Sequence, residues 1–127
     1  MSKVSDAEIR SFIEAAYAAF NRRDIEAAVA AMTADVQWSN GWQGGFVHGR
    51  DGVRDYWTRL WAEMNPTVRP VSIARSAENM VTVRVDQTIR QPDGVLLRAG
   101  LVDHVYTLRD GLIERMDILV VGRFDAE

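Results

Sequence analysis

The chain has 127 residues, 47% of them hydrophobic, with no break in composition, which fits one compact domain that can bury a core and still leave a cleft. A formal charge of -3 and scattered Lys and Arg residues give no basic footprint, so nucleic acid is excluded as an expected partner. With no cysteine, no apolar leader at the start and no stretch approaching 18 apolar residues, the expectation is a cytoplasmic protein without disulfides or a membrane segment.

Ser5-Asp6-Ala7-Glu8 forms a capping box, and Val4 with Ile9 a matching hydrophobic staple. Ile9, Phe12, Ile13, Ala16, Tyr17 and Phe20 then recur at helical spacing and end near Asn21. Asp24 caps a second, short helix with Ile25, Ala28, Val29 and Met32 on its apolar face. Val36, Trp38 and Asn40 alternate with polar residues as a strand with one face inward. Gly41 to Phe46 reads as a loop that arches over something apolar. Val53, Trp57, Leu60, Trp61 and Met64 define a third helix from about Arg50, closed by Asn65-Pro66. The remainder reads as antiparallel sheet: a weak strand around Val68 to Arg75, then Met80 to Arg90, Val95 to Leu108, and Leu112 to Val121, joined by turns at Gln91-Pro92-Asp93-Gly94 and Arg109-Asp110-Gly111. Helices first and a meander after them predict an α+β fold, a curved sheet wrapping helices around a conical cavity.

Two polar residues stand out in apolar stripes: Tyr17 on the first helix and Asp103 on the strand face Leu97, Ala99, Leu101 and Val105. Polar groups so placed need partners, either each other or a ligand. Tyr17 alone is more often a core tyrosine with a satisfied hydroxyl, and Arg84 with Asp86 more readily a surface or interface ion pair than a catalytic dyad. Trp38, Trp42, Phe46 and Trp57 are candidate walls for a flat apolar molecule. His48 and His104 lack ligand-like spacing to any carboxylate cluster, so no metal site is expected, and no cofactor loop is present.

The order of these elements, with Thr33-Ala34-Asp35-Val36 entering a strand, Val47-His48-Gly49-Arg50-Asp51 opening the third helix and Arg109-Asp110-Gly111-Leu112-Ile113 turning the last hairpin, resembles the nuclear transport factor 2-like superfamily. The resemblance runs from about Ser5 to Val121 and is closest to ketosteroid isomerase-like and SnoaL-like bacterial members. It implies a single cone-shaped domain over residues 1–127, a homodimer joined through the outer sheet faces, and a hydrophobic small-molecule ligand. It also implies cofactor-independent isomerase or lyase chemistry on a carbonyl compound. Tyr17 and a protonated Asp103 would then be oxyanion donors, in the arrangement for which ketosteroid isomerase is the type case. Asn40, where the proton-shuttling aspartate of those isomerases belongs, would hold ligand or water, since an amide does not shuttle protons at neutral pH. A non-catalytic binding module that kept the cavity and lost the base is the alternative. Limonene epoxide hydrolase gives a further comparison, with Arg84-Val85-Asp86 matching its Arg-x-Asp, but Ile118 stands where its second aspartate belongs and Asp117 is one position early. SnoaL-like cyclases direct attention to His104 and Asp117, with His104 on the face opposite to Asp103.

Overall fold

The computed structural model describes the backbone of residues 5–125 and the side chains of residues 5–119. Three helices, α1 (Asp6–Asn21), α2 (Ile25–Val29) and α3 (Gly49–Glu63), alternate with and then give way to strands β1 (Met32–Ser39), β2 (Phe46–His48), β3 (Asn65–Ala77), β4 (Met80–Arg90), β5 (Leu96–Arg109) and β6 (Leu112–Asp125). The strands form one six-stranded sheet in the order β2-β1-β6-β5-β4-β3. All neighbours are antiparallel except β1 and β6. The helices pack on one face of the sheet, as expected of an α+β cone.

The capping box starts α1 as the sequence predicts: the Glu8 amide donates to the Ser5 hydroxyl at 3.1 Å and the Ser5 amide donates to the Glu8 carboxylate at 3.3 Å. Val4, the other half of the expected staple, lies outside the described residues. At its far end α1 is fixed to the edge strand by Asn21, whose side chain accepts from the Val68 amide at 2.9 Å and donates to the Val68 carbonyl at 2.7 Å. A side-chain amide thus takes the place of a strand neighbour.

Met32, read from the sequence as part of α2, instead opens β1. The chain leaves the helix at Ala30, and the Ala31 carbonyl accepts from the Ile113 amide at 2.8 Å, which starts the parallel pairing with β6. Arg50 then donates to the Met32 carbonyl through Nε at 3.0 Å and Nη2 at 2.6 Å, anchoring the start of α3 to the start of β1. Gly49, with φ at +76°, makes the sharp entry into α3 without strain.

The core lies between α1, α3 and the inner sheet face. Ile13, Val36, Val53, Val81, Val83 and Val85 are wholly buried there.

Candidate functional site

Between the helices and the inner sheet face lies a cavity of about 170 Å³. Its walls are aromatic and aliphatic: Phe20 from α1, Trp38 from β1, Trp42 from the loop after β1, and Tyr56, Trp57 and Leu60 from α3. The rings meet edge to face, Trp38 on Trp57 at 5.5 Å between centroids and Phe20 on Trp57 at 5.1 Å, a favoured aromatic geometry. Trp38, Trp42 and Trp57 therefore sit where the sequence expectation needs them. Phe46 does not line the cavity; its ring carries the Arg115 guanidinium at 4.4 Å instead.

Tyr17 does reach the cavity, but its partners differ from the expected one. Its hydroxyl lies 2.7 Å from Nδ1 of His104 and 2.7 Å from the hydroxyl of Tyr106, all three side chains buried. The Tyr106 hydroxyl donates to that of Tyr17, and the single Tyr17 proton is then left for Nδ1. In this direction Nδ1 accepts and the proton of the neutral imidazole sits on Nε2, whereas the reverse direction, with Nδ1–H donating to Tyr17, leaves the Tyr106 proton unpaired instead.

Burial keeps this imidazole neutral, lowering its pKa from 6.5 to about 4, with the nearby Asp103 charge pulling weakly the other way. Burial likewise raises the phenols of Tyr17 and Tyr106 above the ordinary tyrosine value. His104 Nε2 is buried with no protein partner among the described residues, and His104 forms part of the cavity wall. An unpaired N–H in such a setting is costly unless something accepts from it.

Asp103 corrects the sequence expectation. It lies on the outer sheet face, its carboxylate receiving Nε of Arg84 at 3.0 Å and Nη2 at 3.2 Å. That hydrogen-bonded guanidinium lowers the Asp103 pKa, so the carboxyl is ionised and unfit to donate. The reason is register. Arg90 faces Leu96, yet Ile89 faces Arg98, leaving Leu97 as an extra residue that turns every later side chain of β5 over. Val102, His104 and Tyr106 thereby face inward beside Val81, Val83 and Val85, and Asp103 faces out.

Asn40 is buried as expected, at 7% exposure, but serves the loop that follows it. Its Oδ1 accepts from the amides of Trp42 at 3.0 Å and Gln43 at 2.8 Å, while its backbone pairs with Gly44 and Gly45. The oxygen available to hold water or ligand is thus occupied in a turn that presents Trp42 to the cavity. Gly41 permits the loop to lie close, since a Cβ there would come within 3.1 Å of Ile118.

The epoxide hydrolase comparison fails on placement. Arg84 is held by Asp103, Asp86 pairs with Arg69 at 2.7 Å, and Asp117 pairs with Arg115 at 2.9 Å, all on the outer face. No Asp or Glu among the described residues lines the cavity. The sequence points to His104 only through the cyclase comparison, without Tyr17, and does not mark Tyr106, Tyr56, Gln87 or Arg98 as site residues. The alternation of β4 carried the missing signal, because Val81, Val83 and Val85 select which residues of β5 can share their face once the extra residue is counted.

Helices set on one face of a curved, open sheet, enclosing an apolar cavity with a buried polar relay, define an α+β cone. The SnoaL-like domain model matches residues 13–116, and the chain belongs to that family, of nuclear transport factor 2-like and ketosteroid isomerase-like fold. Among solved structures, TerC, crystallised with polyporic acid, is 24% identical with a TM-score of 0.77, covering 87% of this chain and 89% of its own. A nuclear transport factor 2-like protein from Burkholderia pseudomallei is 20% identical with a TM-score of 0.77, covering 88% and 89%. The epoxide hydrolase/cyclase-like enzyme SalBIII is 16% identical with a TM-score of 0.77, covering 92% and 93%. At these identities the likeness concerns the fold. No curated protein is significantly similar to the chain.

Proposed function

We propose that the protein binds a flat, hydrophobic small molecule bearing an oxygen acceptor, with that oxygen taken up by the Nε2 hydrogen of His104. The observation that carries this reading is the buried relay from Tyr106 through Tyr17 to His104 in an otherwise apolar cavity wall. With Tyr106 donating to Tyr17 and Tyr17 to Nδ1, the Nε2 donor is oriented before any ligand arrives and little ordering is lost on binding.

The relay works as a hydrogen-bond donor and not as an acid. Passing the Nε2 proton to a ligand would draw the Tyr17 proton to Nδ1 and the Tyr106 proton to Tyr17, leaving a phenolate on Tyr106. Burial disfavours that anion strongly. Polarisation of a carbonyl is within reach of such a donor, and this keeps the isomerase or lyase reading as a second possibility on the same geometry. Binding is the better supported of the two, because proton transfer also needs a base and no carboxylate among the described residues faces the cavity.

The proposal includes a cytoplasmic setting and a homodimer joined through the outer sheet face, where Leu119 is 57% exposed beside half-buried Leu101 and Val105. Sedimentation equilibrium showing only monomer would remove the dimer from it. No helix of the described residues is long and apolar enough to cross a membrane.

The test compares 2-acetylnaphthalene with 2-ethylnaphthalene by isothermal titration calorimetry. The ketone is expected to bind up to about tenfold more tightly, the value of one neutral hydrogen bond, and His104→Leu is expected to abolish the difference with the fold retained by circular dichroism. Equal affinity for the two molecules in the unaltered protein contradicts the assignment.

A further inference from the structure

Among the described residues, one cationic side chain lines this cavity. Arg98 lies on the inner face of β5, six residues before His104, and lines the wall together with Gln87 of β4. Met64, Ile89 and Arg98 also border a shallow surface depression that takes in Leu97, which locates Arg98 where the cavity meets the surface. Eight other arginines among the described residues hold carboxylates at 3.4 Å or less. Among the described residues Arg98 holds no carboxylate and has no hydrogen-bond partner.

A guanidinium presents a planar fork of donors that matches a carboxylate or another delocalised oxyanion at two points. Set at the rim of apolar walls, with Gln87 as a neutral amide beside it, it selects by charge at one end only. His104 lies at the other. Six residues of extended strand separate their Cα atoms by about 20 Å, so the two polar groups address opposite ends of one elongated molecule.

We propose that the ligand is an elongated aromatic monoanion, a carboxylate or acidic enol, with its anionic end on Arg98 and a neutral oxygen at the His104 end. This rests on the binding reading above and adds the charge and polarity of the ligand. A dianion is excluded by the same geometry, since the inner end offers a neutral imidazole whose burial opposes charge.

The experiment compares 6-acetyl-2-naphthoate with 2,6-diacetylnaphthalene, nearly equal in shape and differing in one charge, by calorimetry at pH 7. The naphthoate is expected to bind about tenfold or more tightly than the diketone, and added salt to narrow the gap. Arg98→Met should bring the ratio close to one, and Arg98→Lys should keep part of the preference. Diketone binding with no preference for the naphthoate overturns the assignment to Arg98 and leaves the binding reading standing. A preference that persists in folded Arg98→Met also overturns it. If neither compound binds, both readings fall. Should Arg98→Met not fold, the salt dependence and Arg98→Lys decide by the same criteria.

Discussion

At the scale of single residues, the chemistry of the cavity comes down to which of two neighbours in sequence faces in. Asp103 would bring a charge that burial opposes; His104 brings a group that burial turns neutral, and its protonation is then coupled to folding. The folded imidazole titrates near pH 4 and the unfolded one near 6.5. Between these values the unfolded chain binds a proton that the folded chain refuses, so stability is full above about pH 6.5 and falls as the pH drops toward 4, by roughly 3 kcal/mol. Urea unfolding across that range should show the loss, and His104→Gln should remove this part of it. A stability that stays level from pH 6.5 to 4.5 would show that the imidazole is already charged or solvated in the folded state.

At the scale of elements, the sequence announces most of what forms, and the exceptions have physical causes. The capping box and apolar stripe of α1, the alternation of β4 and the proline-limited end of α3 are local signals, and each element lies where its signal puts it. β1 begins earlier than its alternation suggests because pairing with β6, a partner some eighty residues away, overrides the helical spacing that ends at Met32. The face of β5 is hidden for a similar reason. Both of its faces are rich in apolar residues, so alternation alone does not choose between them, and the choice passes to one extra residue at Leu97 that no local pattern reveals. Tyr17 was legible as a site residue; its partners were not, since they depend on that register. Asn40 was legible as buried, but its role depends on the loop it closes. Asn40→Ala should cost about 1–3 kcal/mol by leaving the amides of Trp42 and Gln43 without their acceptor, whereas Asn40→Asp, which keeps an acceptor, should cost less. Thermal unfolding of the two variants separates a loop staple from a bystander, and equal melting temperatures for Asn40→Ala and the unaltered protein would deny the staple.

At the scale of the molecule, the cone divides its charges between two surfaces. Ion pairs occupy the outer face of the sheet, where Arg84 with Asp103, Arg69 with Asp86 and Arg115 with Asp117 remain in contact with water and contribute little to stability. The inner face carries the aromatic walls, the buried relay and, among the described residues, Arg98 as a cation. A sheet with polar pairs outside and neutral donors inside suits a protein that selects a ligand by shape and by a few oriented hydrogen bonds. The central claim is that Tyr106 and Tyr17 hold His104 as a neutral imidazole protonated on Nε2. Long-range proton–nitrogen correlation NMR of the folded protein reads this directly. The account predicts a protonated Nε2 and a bare, hydrogen-bond-accepting Nδ1 at pH 7, unchanged down to about pH 5, with the assignment lost in Tyr17→Phe. An imidazolium at neutral pH, or a proton found on Nδ1, would contradict it.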